Sequence, residues 1–202
     1  YKLSKLTHEQ QVDLLNHGIF ATLPKIEFGA SDRLVFDTPA CEYARAIRRI
    51  SRQIGDCLVG LALGVGVAYG FCHIGVLKVI EEEKIPIDVV SGSSIGAVIA
   101  SLWLTGRSSD EILEITTKEF KEPKYIWSMV DLTFPLWGFI KGNKLYNFLK
   151  KYLGNKTFYD VRLPLKIVAS DIKRKESKVL DKGTLVDAIM ATCSMPGVFR
   201  PF

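Results

Sequence analysis

The sequence predicts an α/β domain built on a mostly parallel sheet with helices packed over it. Three observations carry that reading. Apolar runs at residues 58–63, 87–90 and 165–170 have the near-continuous hydrophobicity of strands buried on both faces. Segments with helical spacing of apolar residues alternate with them, which is the order a parallel sheet requires. The first two strand-to-helix connections, residues 64–70 and 91–96, are short and rich in glycine or serine, the composition of tight turns.

Length and composition set the outer limits. The chain has 202 residues, 48% hydrophobic and 24% charged, enough for one sizeable core and far from the balance of a disordered or disulfide-rich chain. Lysine and arginine number 27 against 22 aspartates and glutamates, and a net charge of +5 does not indicate nucleic acid as a partner. The excess is concentrated in residues 118–182, with 15 basic and 7 acidic groups. That stretch reads as a solvated lysine-rich surface, with attraction to anionic lipid head groups as the sharper alternative. Cys41, Cys57, Cys72 and Cys193 form no CxxC or other zinc pattern, so neither a metal nor a cofactor is signalled. Reduced, buried thiols are expected, which suits the cytoplasm. The longest apolar stretch, residues 58–70, is interrupted by glycine and too short to span a bilayer, and no signal-peptide pattern opens the chain.

Two regions follow from the pattern. Residues 1–57 read as an N-terminal helical extension or linker. Thr7 and Gln10 have capping-box spacing for a helix continuing to Leu15, and residues 29–38 are loop-like. Thr38-Pro39 opens a second helix over 40–54, in which Arg45, Arg48, Arg49 and Arg52 interleave with Ala44, Ala46, Ile47 and Ile50. Residues 58–202 form the main domain. After the first strand and glycine-rich turn, Ile74, Leu77, Val79 and Ile80 mark a helix over 71–84. The second strand and turn lead into residues 97–104, apolar enough for a helix buried on most faces. Helices over 109–120 and 145–153 flank an aromatic-rich segment, 123–140, that Pro135 breaks. A third strand over 165–170, a short fourth at 178–180 and a helix over 185–192 complete the series.

The chemistry concentrates in the two turns. Gly92-Ser93-Ser94-Ile95-Gly96 is a G-x-S-x-G between a strand and a helix. A serine at such a tip has a strained backbone and crowded neighbours, and glycine on either side removes the side chains that would collide. The turn lifts the Ser94 hydroxyl clear of the sheet beside a helix N-terminus, where N–H groups and the dipole favour negative charge. Residues 64–70, read Gly-Val-Gly-Val-Ala-Tyr-Gly, offer free backbone N–H groups to an anion. The anion is either a nucleotide pyrophosphate or an acyl-transfer oxyanion. The dinucleotide pattern G-x-G-x-x-G fails by one position at Gly70, and the second strand carries no acidic residue at its end, so the oxyanion is favoured. His8, His17 and His73 all precede Ser94, which excludes the Ser, Asp, His chain order of α/β-hydrolases. His73, in the first turn of its helix, reads as structural. A carboxylate base remains, with Asp171 at a strand end and Asp187 on a helix as candidates that spacing does not separate.

The segment LALGVGVAYGFCHIGVL (residues 61–77), the G-x-S-x-G at 92–96 and ATCSMPGVFRP (residues 191–201) together resemble the patatin-like phospholipases, particularly bacterial members, over about residues 58–202. The resemblance implies a three-layer α/β/α fold with a Ser–Asp dyad and no histidine. It implies hydrolysis of lipid or phospholipid acyl esters, with peripheral contact at a membrane. Ser94 would be the nucleophile, and the backbone around Val65, Gly66 and Val67 the oxyanion hole, with Gly92 and Gly96 framing the elbow. The sequence departs from the family run G-G-G-x-R/K-G: valines stand at 65 and 67, and Tyr69 replaces the basic residue. Valine resists positive φ. Asp171 matches a structural aspartate of the family, and the catalytic one is expected beyond Phe202. The domain is therefore expected to be incomplete at its C-terminus, and this piece inactive alone. A catalytically weak member that binds lipid or a partner through the same cleft is the alternative.

Overall fold

The computed structural model describes residues 41–119, 142–195 and 198. The helix starting at Thr7, the loop at 29–38, Thr38-Pro39, Phe120, the aromatic segment 123–140 and most of 196–202 lie outside them. The chain divides into two compact units, Tyr1–Val59 and Gly60–Phe202.

In the first unit, α1 spans Glu42–Ile54. Its N-cap is Cys41, whose Sγ accepts the Ala44 N–H at 3.3 Å. The helix is strongly amphipathic, with Ala44 buried and Arg45 exposed. It closes at Gly55, whose N–H reaches the Ser51 carbonyl, with Arg52 in the last turn opposing the dipole.

In the second unit the strands are β1 (Gly60–Leu63), β2 (Val89–Gly92), β3 (Leu165–Asp171) and β4 (Glu176–Leu180). They form one sheet in the order β1-β2-β3-β4. β1, β2 and β3 are parallel, and β4 returns antiparallel to β3. The strand bounds differ from expectation, most of all in β1, β2 and β4. β1 starts at Gly60, leaving Leu58 exposed, and β2 runs two residues further, through Ser91 and Gly92. Hydrophobicity marks buried side chains, whereas the ladder continues wherever backbone partners exist. Here Gly92 pairs with Leu63 on one side and Ile167 on the other.

The helices are α2 (Cys72–Glu82), α3 (Ile95–Leu104), α4 (Ser109–Glu119), α5 (Asn143–Leu153) and α6 (Leu185–Cys193). The second half of the glycine-rich connection is ordered as a 3₁₀ turn, Val67–Phe71, rather than an open loop. α3 lies at the centre of the fold. Every residue from Gly96 to Leu104 is buried, as its uniform apolarity predicts, and it packs against β1, β2 and β3 as well as α4, α5 and α6. Its Ile99, Leu102 and Leu104 are fully buried in one core with Leu77, Ile112, Leu149, Ile167, Leu185 and Ile189. At roughly 1.5–3 kcal/mol per fully buried aliphatic side chain, this core is the main term holding α3 on the sheet. A polar strut supplements it. Glu81 accepts from Trp103 Nε1 at 2.8 Å and from the Ser109 hydroxyl and N–H, tying α2, α3 and α4 together. Burial works to raise the Glu81 pKa, but these donors outweigh it and leave a net lowering.

Candidate active site

The turn between β2 and α3 has the geometry its sequence requires. Ser94 has φ 52° and ψ −124°, a left-handed φ that non-glycine residues rarely adopt. A Cβ on Gly96 would lie 2.1 Å from the Leu63 carbonyl oxygen and 2.7 Å from that of Gly64. A Cβ on Gly92 would lie 2.7 Å from Cα of Ala97. Both glycines are therefore steric necessities, and both clashes are with backbone. Gly96 also sits directly on the end of β1, so the elbow and the start of the glycine-rich connection interlock.

The turn is fixed by hydrogen bonds on every side. The Ser93 N–H donates to the Leu63 carbonyl at 3.1 Å. The Ser94 carbonyl accepts from Ala97 and Val98 at 2.9 and 3.2 Å, opening α3. The Ser94 N–H donates to Thr192 Oγ1 at 3.0 Å, and the Thr192 hydroxyl donates to the Val168 carbonyl of β3. Ser93 Oγ lies 3.2 Å from Thr192 Oγ1. The Ser94 side chain is half-buried and contacts the Cys193 thiol. Burial pushes the Cys193 pKa up to about 11, against a smaller lowering by the Ser94 hydroxyl, so the thiol is protonated at neutral pH. Among the described residues no carboxylate or imidazole bonds Ser94.

The second turn lies against the first. A Cβ on Gly70 would fall 2.1 Å from Cγ2 of Ile95, the residue after Ser94. Val67 has φ 47°, so a β-branched residue occupies the left-handed region that the sequence argues against. Tyr69 N–H closes the turn on the Gly66 carbonyl at 2.9 Å. The N–H groups of Val65, Gly66 and Val67 donate to no carbonyl among the described residues. Val65 and Val67 are each 71% exposed and Tyr69 89% exposed, so the connection shows an apolar rim. His73 Nε2 lies 3.0 Å from the Gly64 carbonyl oxygen, bracing the start of the connection.

The two aspartates are committed elsewhere. Asp171 ends β3 and accepts from the Lys173 and Arg174 N–H groups and from the Arg174 guanidinium at 3.2 Å. Those bonds, the Arg174 N–H first, hold its carboxyl below the usual range. Asp187 is tied to Thr184, the N-cap of α6: the Thr184 hydroxyl donates to the Asp187 carboxylate at 2.6 Å and accepts the Asp187 N–H at 3.2 Å. Of the four cysteines, Cys57 and Cys72 are exposed and Cys41 and Cys193 only partly buried, so the expectation of four buried thiols fails. Cys193 packs against the edge of the core. No helix among the described residues is long and apolar enough to cross a membrane. Sequence reasoning missed Thr192, because a threonine late in a helix carries no pattern that reveals a partner 98 residues away.

Comparison with known proteins gives the family. The chain is 30% identical over 154 residues to the neuropathy target esterase sws of Drosophila grimshawi and to that of Drosophila persimilis. The match covers 76% of this chain but only 10% and 11% of those proteins, so the chain spans about a tenth of their length. The crystal structure of the type III effector protein ExoU aligns with a TM-score of 0.43 at 16% identity, over 69% of this chain and 40% of that one. Residues 61–202 match the family model for patatin-like phospholipase, and the chain belongs to that family.

Proposed function

We propose that this chain carries the nucleophile of a serine hydrolase that cleaves lipid acyl esters. Ser94 Oγ attacks the ester carbonyl carbon, and its proton passes to a carboxylate base. The tetrahedral oxyanion is held by N–H groups around Val65, Gly66 and Val67. Collapse of the intermediate releases the alcohol, which takes up the proton, and leaves an acyl-Ser94 ester. Water, deprotonated by the same base, then releases the fatty acid and restores Ser94. The base is a carboxylate other than Asp171 and Asp187, which are both held in local turns. The observation that carries the reading is the Ser94 backbone, at φ 52° on a tip framed by two glycines that tolerate no Cβ. The apolar rim of Val65, Val67 and Tyr69 suits an acyl substrate and peripheral contact with a lipid surface.

A second reading is a weak or inactive domain that binds lipid or a partner through the same cleft. The positive φ of Val67 favours it, because the strained loop is less firmly preorganised than a glycine loop would be. Turnover of p-nitrophenyl esters by the full-length protein separates the two. Turnover that Ser94→Ala abolishes supports the hydrolase. No turnover by wild type, with lipid binding retained, supports the second reading.

A further inference from the structure

We infer that Thr192 is a positioning residue for the nucleophile, holding the Ser94 backbone in the strained turn that presents its hydroxyl. The inference rests on the hydrolase reading and adds to it the part that keeps the elbow in place. A threonine hydroxyl has one proton and two lone pairs. The proton goes to the Val168 carbonyl, so the hydroxyl oxygen is free to accept. It accepts the Ser94 N–H at 3.0 Å, and Ser93 Oγ, 3.2 Å away, divides its one proton between this oxygen and the Val168 carbonyl at 3.4 Å. One oxygen thus joins β3, the nucleophile turn and the last turn of α6.

The need for such a junction follows from the backbone. The sheet ladder ends at Gly92, so the Ser94 N–H has left the strand and has no strand partner. Residues at such dihedrals persist only where their surroundings over-determine them. Thr192 supplies that constraint from outside the β2–α3 segment. Removing its hydroxyl leaves the Ser94 N–H without its partner, and leaves the Ser93 hydroxyl and the Val168 carbonyl only their longer bond to each other at 3.4 Å. Relaxation of the turn then moves Oγ relative to the oxyanion loop. Because Thr192 is the last residue but one of α6, the same bond fixes where the chain leaves that helix relative to Ser94.

The test uses the full-length protein with Thr192→Val, close in shape but without the hydroxyl, and Thr192→Ser, which keeps it. A displacement near 1 Å at a reacting atom costs about 10²-fold in rate. Thr192→Val should therefore lower both kcat and the rate of fluorophosphonate labelling of Ser94 by about 10- to 100-fold, with KM within about twofold. Thr192→Ser should stay within about threefold of wild type. Amide exchange at Ser94 should be slow in wild type and Thr192→Ser and at least about tenfold faster in Thr192→Val. Labelling of Thr192→Val within threefold of wild type, or equal impairment of Thr192→Ser, overturns the inference. Exchange of the wild-type Ser94 amide at the rate of an unstructured peptide overturns it whatever the variants do. Absence of labelling in wild type refutes the hydrolase reading instead, and the Ser94 amide exchange still decides the role of Thr192.

Discussion

Val67→Gly should stabilise the protein, contrary to the usual effect of placing glycine in an ordered segment. Val67 sits at φ 47°, where a non-glycine residue costs of order 1–3 kcal/mol and a β-branched one falls toward the upper end. Two terms oppose the relief. Glycine gives the unfolded chain more freedom, about 0.5–1 kcal/mol. The valine side chain also loses what little burial it has. It is 71% exposed, and full burial of a valine contributes roughly 1.5–3 kcal/mol, so the loss is about 0.5 kcal/mol. The balance is a gain of about 0.5–2 kcal/mol, or a rise in Tm of roughly 1–8 °C for a domain of this size. Urea denaturation followed by far-ultraviolet circular dichroism measures it. Val67→Ala separates the terms, because it removes the β-branch and the burial but keeps Cβ at positive φ. It should be less stable than Val67→Gly. A loss of 1 kcal/mol or more in Val67→Gly would refute the argument, because the strain it is built on would be absent.

The remaining expectations concern the elbow, its neighbours and the base. Gly96→Ala should lower stability by about 3 kcal/mol or more in urea titration, since its Cβ meets the Leu63 carbonyl at 2.1 Å and backbone must move. A fully stable variant would contradict that geometry. Cys193 should react with iodoacetamide at pH 8 far more slowly than the exposed Cys57 and Cys72, and at an ordinary rate after denaturation, as peptide mapping would show. Its folded pKa of about 11 lies above the ordinary value of 9.0, so the folded state holds more protons between them. The contribution of this thiol to stability is therefore full below pH 9 and falls as pH rises from 9 to about 11. Asp171→Asn should leave ester turnover of the full-length protein within a few-fold of wild type, because its carboxylate serves the β3–β4 turn. Abolished turnover with intact folding would make Asp171 the base.

How far the fold could be read from the sequence depended on whether side chains or backbone partners decide an element. α3 was legible because ten successive small or apolar residues admit only a buried helix or strand, and their length selects the helix. β4 was legible only in part. Its residues are mostly exposed, so Glu176 and Ser177 carry no hydrophobic signal and join β3 through the ladder alone. The elbow was legible because sterics force glycine at 92 and 96. The backbone of Val67 was not, since residue type argued against the conformation that the surrounding turn imposes. The link from Thr192 to Ser94 is a tertiary contact between a helix end and a turn, and no local pattern encodes it.

The central claim is that Ser94 is a nucleophile activated by its turn. Treatment of the full-length protein with a fluorophosphonate, followed by peptide mass spectrometry, tests it most directly. The account predicts one adduct, on Ser94, and none in Ser94→Ala. No adduct on the folded wild-type protein, or equal labelling of Ser94→Ala, would contradict it.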